Sequence, residues 1–355
     1  VSISPRVAGA ALGLAAAALF GVSAPVAKLL LPASTPLVLA SLLYLGGGLG
    51  LTALVWIRGL RPNSPEEREA RLTGKDVPLL LGVILCGGIV GPVLMLVGLE
   101  RLSGVAASLL LNLEGPFTIL LALLVFGEHL GRAGALAAGL IMAGAAVLGL
   151  QEGELRGDVL GILALAGACL AWAVDNNLTQ RLSLKDPLAL VRIKALGSGA
   201  CTLVLALLTG QPMPGGSVLG ATLVLGFASY GVSIVLDAYA LRLVGAAREA
   251  AYFATAPFVG ALVSIPLLGE HLRLLDLLAG GLMAGGVVLL LRERHAHVHT
   301  HAALEHEHVH AHDDHHQHAH PPGTPDVEPH SHLHRHAPLT HDHPHVSDLH
   351  HRHEH

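Results

Sequence analysis

Between residues 8 and 291 the chain alternates long apolar runs with short breaks rich in Pro, Gly and charge. The breaks leave ten runs, at 8–31, 36–57, 77–99, 104–126, 131–150, 158–180, 187–208, 217–241, 246–268 and 273–291. A helix rises about 1.5 Å per residue, so about twenty residues cross a hydrocarbon core about 30 Å thick. The pattern predicts an all-α membrane protein with ten transmembrane helices. The first run is too long for a signal-peptide core, contains Pro25 and Lys28 and is followed by other runs, so it is read as a retained helix.

After residue 294 the pattern stops. Residues 295–355 hold 23 of the 25 histidines, nine acidic residues, two arginines and several prolines. Such a segment lacks the apolar material for a core, so a disordered His-rich tail is expected. The formal charge of −5 belongs to it, because residues 1–294 carry 19 Lys plus Arg against 17 Asp plus Glu. No basic footprint for nucleic acid follows. Cys86, Cys169 and Cys201 are odd in number, far apart and each inside an apolar run, which suits small packed residues better than a disulfide framework or a zinc site.

Basic residues orient the helices. With the N-terminus in the cytoplasm, inner segments collect Arg6, Arg58, Arg61, Arg68, Arg71, Lys75, Arg132, Arg181, Lys185, Arg242, Arg248, Arg292 and Arg294, and outer segments only Lys28, Arg101, Arg156 and Arg273. Thirteen against four is a positive-inside bias, and an even number of spans returns the tail to the same side. The expected location is a bacterial inner membrane, multi-pass, with both termini cytoplasmic.

The apolar region repeats itself. Arg101-Leu102-Ser103-Gly104, Pro116 and Gly127-Glu128-His129-Leu130 recur as Arg242-Leu243-Val244-Gly245, Pro257 and Gly269-Glu270-His271-Leu272. The offset is 141 residues up to the prolines and 142 beyond them. Five helices per half is an odd number, so the second copy enters the membrane upside down. Inverted repeats of this kind place a binding site at their interface and permit alternating access. The expected organisation is a first five-helix repeat over 1–150, a second over 151–294 and the tail over 295–355.

In these motifs the chain resembles the EamA-type ten-helix permeases of the drug/metabolite transporter superfamily, over nearly all of residues 8–291. The resemblance implies a basket of helices with a central cavity and the activity of a secondary carrier, often an exporter of amino acids, metabolites or drugs. Many relatives have an Arg early in the second helix, where this chain has Ser41; the matching place in the second half, five residues after Pro187, is Arg192.

An ionisable side chain at the centre of a membrane helix costs about 2.5–3.5 kcal/mol to insert, so such groups face protein or water. Glu114 stands near the middle of the fourth helix between Asn112 and the helix-breaking Pro116, where a carboxylate and freed backbone groups can meet a polar substrate or a proton. Asp175 and Asn176 end the sixth helix, Arg192 and Lys194 begin the seventh, and Asp237 reaches the same third of the membrane from the eighth, so these are expected to form one ion-pair cluster. That cluster reads either as a structural lock or as a gate. Pro116 and Pro257 are expected to kink their helices beside the cavity. The Glu128-His129 and Glu270-His271 pairs sit at loop edges where the repeat accounts for them, and a metal-ligand role is the lesser reading.

The tail histidines fall in three alternating runs. The first is His295, His297, His299 and His301, the second His306, His308, His310 and His312, and the third His330, His332, His334 and His336. In an extended chain every second side chain points the same way, so each run is expected to offer several imidazoles to one ion. Zn, Ni, Co or Cu are the metals such a donor set suits. The bland reading is a solvated, pH-sensitive tail.

No cofactor is required, and no nucleophile-and-base pair or phosphate loop points to an enzyme. The leading expectation is a secondary transporter, an exporter of small organic solutes, with a metal-binding regulatory tail. The partners are a small-molecule or ion substrate and the lipid bilayer. A divalent-metal permease and a membrane-anchored metal store or sensor are the alternatives.

Overall fold

The computed structural model describes residues 5–58, 72–126, 132–152, 159–182, 185–244 and 246–292, and, in the tail, the backbone of residues 295–301, 304–310, 330–336 and 339–345. Among the described residues ten helical units follow one another in the membrane part. They are α1 (Val7–Ala33), α2 (Pro36–Arg58), α3 (Gly74–Arg101), α4 (104–126), α5 (Arg132–Glu152), α6 (Val159–Gln180), α7 (Pro187–Leu208), α8 (216–244), α9 (246–268) and α10 (Leu274–Arg292). Units α1 to α8 are each long and apolar enough to cross a membrane, while α9 and α10 contribute the shorter apolar helices Ala256–Leu268 and Leu274–Leu289. The sequence expectation of an all-helical membrane domain holds.

Leu and Ala dominate these segments and favour helix, and several breaks carry capping chemistry that starts the next one. Asp186 accepts hydrogen bonds from the backbone N–H groups of Leu188 (2.9 Å) and Ala189 (3.2 Å) ahead of Pro187, the first residue of α7. Ser103 does the same for Ala106 at the start of α4, at 3.1 Å. Thr73 and Asp76 form a reciprocal capping box before α3, and Asp76 also pairs with Lys185 at 3.1 Å.

The packing follows the repeat. The main partners are α5 with α10, α2 with both α7 and α8, α4 with α9, α1 with α8 and α3 with α6; α1 also meets α9, α4 meets α6 and α3 meets α7. Exchanging each helix of one half for its counterpart in the other turns α1–α8 into α6–α3, α1–α9 into α6–α4 and α2–α8 into α7–α3, and returns the remaining pairs to themselves. A pair of inverted repeats related by a two-fold axis requires this closed set. At the α2–α8 crossing, a Cβ on Gly46 would strike the backbone of Leu223 and one on Gly226 would strike the backbone of Leu43. Glycine at both places lets two main chains touch, the close approach on which membrane helices rely for adhesion.

Two helices are wound wide. Ile84–Val90 in α3 and Phe227–Val232 in α8 are π-helical, and each ends on a five-residue hydrogen bond, Gly91 N–H to the Cys86 carbonyl and Ser233 N–H to the Ala228 carbonyl. Such segments are rare and cluster at functional sites.

The tail departs from the expected disorder in its backbone. Strand β1 (His295–His301) pairs antiparallel with β4 (Leu339–His345), and β2 (Leu304–His310) with β3 (His330–His336). The strands fall where histidine alternates with other residues, a period-two pattern that suits extended chain. Among the described residues each ribbon has two strands.

The register also changes the grouping of the tail histidines. The sequence expectation took each run by itself, whereas the backbone sets each run beside another strand. His295, His297 and His299 stand opposite His345, His343 and His341, and His306, His308 and His310 stand opposite His334, His332 and His330. His301 and His336 fall opposite Leu339 and Leu304, so these two have no histidine across from them. His312 lies outside the described residues. Pairing across an antiparallel ribbon depends on which strands meet, and spacing within one run carries no record of it.

Candidate transport site

The fourth helix is interrupted at its centre. Gly104–Leu110 is α-helical, Leu111–Leu113 tightens to a 3-10 turn, and the helix restarts at Glu114. Pro116 explains the break, because it has no N–H for an α-type bond and its ring would collide with the carbonyl four residues back. In the other half α9 breaks at 254–255 and restarts at Ala256, with Pro257 in its first turn. Both prolines therefore stand in the first turn of a restarted helix, where proline is tolerated, and the bend lies just before them.

Glu114 is the first residue of its restarted helix, a favourable place for a carboxylate because free backbone N–H groups and the helix dipole meet it there. Its Oε1 accepts a hydrogen bond of 2.6 Å from Asn176 Nδ2 on α6. Glu114 is half-buried and Asn176 exposed. Asn112 faces elsewhere: its amide donates to the Leu109 carbonyl at 2.9 Å and lies 4.0 Å from Met283 Sδ on α10. It satisfies the broken backbone.

Asp175, one residue before Asn176, is 5% exposed and forms an ion pair with Lys194 of α7. Thr179 Oγ1 donates to its other oxygen at 3.2 Å. The carboxylate lies against Gly87 of the π-helical turn, where a Cβ would collide with it. A wide turn weakens the backbone pairing, and the Gly87 carbonyl takes two side-chain donors instead, Tyr44 Oη at 2.6 Å and Trp172 Nε1 at 3.1 Å. One carbonyl thus joins α2, α3 and α6, and the adjoining ion pair adds α7.

The single cluster expected from the sequence is divided. Arg192 Nε donates to Thr52 Oγ1 of α2 at 3.4 Å and does not join Asp175. Asp237 lies within electrostatic reach of Glu249 of α9, and Lys194 pairs with Asp175 instead. Helix geometry accounts for this: residues two apart, as Arg192 and Lys194 are, point to different sides. Glu114 nonetheless lies within electrostatic reach of Asp175, Lys194 and Asp237, so the separate pairs surround one region.

Aromatic rings complete that region. Phe20 lies 5.3 Å from Phe253, 5.7 Å from Tyr230 and 6.3 Å from Trp172, ring centre to ring centre, and Tyr230 lies 5.0 Å from Tyr44. The chain has only twelve Phe, Tyr and Trp residues, and five from five different helices gather here. Spacing along the chain gave no sign of this cluster. Rarity was the available signal, since an aromatic residue in a sequence so poor in them marks a place where size matters.

At the edges the structure finds two contacts that the motifs did not foretell. Both oxygens of Glu270 accept from the first backbone N–H groups of α4, Gly104 at 2.6 Å and Val105 at 2.8 Å. The second-half motif therefore caps a helix of the first half. Lys28, counted above among outer-segment charges, is inside α1 and donates to the Leu99 carbonyl at 2.7 Å and to that of Leu102, at the C-terminal end of α3. A cation there complements the helix dipole. The equivalent pair Glu128-His129 lies outside the described residues.

Among the described residues no three His, Cys, Asp or Glu side chains converge as a metal site. The tail ligands named from the sequence, His295, His297, His299, His301, His306, His308, His310, His312, His330, His332, His334 and His336, have side chains outside the described residues. Cys169 lies buried with its Sγ 3.6 Å from the Leu110 carbonyl, and Cys86 and Cys201 are free. What the arrangement offers is a partly buried set of carboxyl, amide and aromatic groups near the break of α4, able to hold a polar solute by hydrogen bonds and charge.

Known proteins resemble the chain along most of its length. An uncharacterized transporter of Methanothermobacter thermautotrophicus is 32% identical over 289 residues, which span 76% of this chain and 82% of that protein. The uncharacterized inner membrane transporter YedA of Escherichia coli is 25% identical over 260 residues, 72% of this chain and 81% of its own. A protein of known crystal structure superposes with a TM-score of 0.59 at 21% identity, covering 80% of this chain and 98% of the other, a likeness of fold. The model of the EamA-like transporter family matches residues 7–150 and again 159–292, one match to each set of five helices. The chain belongs to the EamA-like transporter family and is a multi-pass membrane transporter.

Proposed function

We propose that this transporter is a secondary exporter of small organic solutes, and that it favours solutes carrying a protonated amine on an apolar or aromatic body. The observation that carries the reading is Glu114, set at the break of α4 with Asn176 as its hydrogen-bond partner. An exposed Asn and a half-buried Glu in membrane helices are costly against lipid, and water or solute is the environment that suits them. Beside them, Phe20, Trp172, Tyr230 and Phe253 offer rings that attract a cation by their faces and an apolar body by their area. The acids Glu114, Asp175, Asp237 and Glu249 outnumber Lys194 in this region, which favours positive over negative solutes.

The test is a resistance and accumulation screen. Deletion and overexpression strains are compared against amines, amino acids, drugs and metals, and the solute found is then followed in proteoliposomes. An amine whose export rises with the wild type supports the reading. A response confined to anions or to divalent metals would sink it.

The tail belongs to the same proposal, as a cytoplasmic metal-binding regulator. The support is its backbone register, which sets three histidines opposite three others in each ribbon, as in His297 with His343 and His308 with His332. Directly opposed residues of an antiparallel pair lie on the same face with Cβ atoms about 4.5–5.5 Å apart, a span that one transition-metal ion bridges. The protein should therefore bind Zn or Ni ions that a chain truncated after Arg294 does not, and lose them near pH 5, because imidazole binds metal only when neutral and its pKa is about 6.5. Calorimetry on the two proteins reads this directly. Equal binding by both would remove the tail from the proposal. Reporter fusions at residue 294 and near Gly210 should report opposite sides of an inner membrane, as the positive-inside bias requires.

A further inference from the structure

We propose that this structure is the state of the transporter whose site opens toward the end of the bundle where α1 begins, and that Glu270 is the latch holding the opposite end shut. The latched end is the one with the α1–α2, α3–α4 and α9–α10 turns, and the positive-inside bias makes it the outer end. The inference rests on the transporter reading above and on no particular solute.

The asymmetry lies in one pair of helices. α4 and α9 are counterparts in the two halves, and each is broken near its middle. Their segments at the latched end, Gly104–Leu110 and Ala256–Leu268, pack tightly together. A Cβ on Gly104 would collide with the side chains of Leu268 and Ser264, and one on Gly260 would press on Ser108 Oγ and on the Gly21 carbonyl of α1. Their other segments, Glu114–Phe126 and Ala246–Phe253, form no packed pair among the described residues, and the space that a Cβ on Gly115 would take is open. The buried core divides in the same way. Leu31, Leu39, Leu96, Leu99, Leu102 and Leu109 fill the latched end, whereas at the other end the core shrinks to Val83, Leu182 and Leu190 between α3, α6 and α7. Two helices joined at one end and apart at the other leave a cleft, and Glu114 and the exposed Asn176 stand beside it.

The latched end is also where the halves share a bond. Glu270, in the α9–α10 turn of the second half, takes the backbone N–H groups of Gly104 (2.6 Å) and Val105 (2.8 Å) in the first half. Among the described residues Glu270 forms no ion pair, and Arg101, His271 and Arg273 at the same end are exposed. Lys28 holds the same α3–α4 turn from within the first half, through the Leu99 and Leu102 carbonyls. Opening between the halves therefore breaks the bonds of Glu270 and leaves those of Lys28 in place. Reversal is feasible because Glu270 is half-buried at the rim, where water can replace its donors, and Ser103 still caps α4 through the Ala106 N–H. Movement of Ala256–Leu268 away from α4, with Ala246–Phe253 closing on Glu114–Phe126, would exchange the open end for the other. The breaks at 111–113 and 254–255 are the hinges for this rocking step, which inverted repeats permit.

Labelling with a charged maleimide that does not enter lipid tests the state and the latch, in nanodiscs and without any solute. The background lacks the native cysteines, as C86A/C169A/C201A. Ser108→Cys, buried in the latched seam, should stay unlabelled, and Asn176→Cys, exposed in the cleft, should label readily. Adding Glu270→Ala should raise the labelling rate of S108C at least about tenfold, the effect of a lost cap of about 1.4 kcal/mol, and should lower that of N176C. Glu270→Gln, which keeps one acceptor oxygen, should fall between. Labelled S108C with protected N176C before the latch is altered overturns the assignment of the state. After Glu270→Ala, an unlabelled S108C overturns the latch. So does a labelled S108C with N176C unchanged, since a frayed end opens without closing the other.

If the cysteine-free chain does not fold, amide hydrogen exchange on the otherwise unaltered chain decides. Glu270→Ala should quicken exchange over 104–113 and 256–268 and slow it over 173–179. Quickening confined to 104–106 marks a helix cap and nothing more, and overturns the latch. A screen that yields no solute speaks against the proposed function alone, because neither labelling nor exchange uses transport.

Discussion

The two halves of the membrane domain share a scaffold and differ in chemistry. Both have a wide π-helical turn in their third helix, a break and a proline in their fourth, and a Gly-Glu-His-Leu motif after it. The charged residues around the break of α4 have no such twins. By the offset of 141, Glu114 corresponds to Thr255, Ser108 to Glu249 and Asn112 to Phe253. Counting from Pro36 and Pro187, Arg192 corresponds to Ser41 and Lys194 to Leu43, and α1, the counterpart of α6, carries no acid at all over Val7–Ala33. Backbone features serve both orientations of the repeat, whereas each chemical group is needed once. A duplicated frame with single-copy acids accords with the single site proposed above.

The most severe test of that division is the Asp175–Lys194 pair. Asp175→Asn leaves a lysine charged in a mostly desolvated place and should cost about 3–5 kcal/mol, while Asp175→Leu with Lys194→Met should be nearly neutral. Thermal unfolding in detergent reads both. If the double variant is as unstable as the single one, the pair is more than a neutralised lock and the polar groups themselves hold the fold.

Next comes the contrast between equivalent positions. Glu114→Gln should lower transport by at least about a hundredfold, the loss of a charge-assisted interaction of about 3 kcal/mol, with insertion and yield unchanged. Thr255→Val, its counterpart, should stay within about twofold, the variation expected of a substitution worth under 0.5 kcal/mol. Equal losses at both positions would mean that chemistry is duplicated after all.

The smallest expected effect concerns the scaffold. Glu270→Gln weakens the cap on α4 and should cost about 1–2 kcal/mol. Glu128→Gln, at the equivalent sequence position, should cost the same if caps belong to the duplicated frame. Melting temperatures that fall for one variant and not the other would confine the cap to one half.

Much of the frame was legible in the residues. Ten apolar runs, the repeat and the two prolines gave the helices, their division into two halves and the places where two of them break, because lipid punishes polar sequence inside a span and backbone chemistry punishes proline. Glu114 was legible for the same reason, as a lone acid beside a proline. What escaped depends on distance in space. Glu249 stands in Ala-Ala-Arg-Glu-Ala-Ala near an end of its helix, where an acid is ordinary, and nothing in that stretch says that Asp237 approaches from another helix. Glu270 was visible as a motif, but its partners are 166 and 165 residues away. In the tail, the alternation of His306, His308 and His310 was plain, while their place opposite His334, His332 and His330 was not. The π-helical turns have no sequence signature either: Ile-Leu-Cys-Gly-Gly-Ile-Val and Phe-Ala-Ser-Tyr-Gly-Val share little except a glycine and the final valine.

Those two wide turns also bear on descent. A π-helical turn is what remains when one residue is inserted into a helix whose two ends are already held by their neighbours, so the surplus is absorbed locally. Here the surplus occurs twice, and the closing bonds at Gly91 and Ser233 stand 142 residues apart, within one residue of the repeat itself. A single insertion in an ancestral five-helix chain, copied when its gene doubled, accounts for both. The wide turn is then older than the ten-helix protein, and the acids that occur in one copy only were acquired, or lost from the other copy, afterwards.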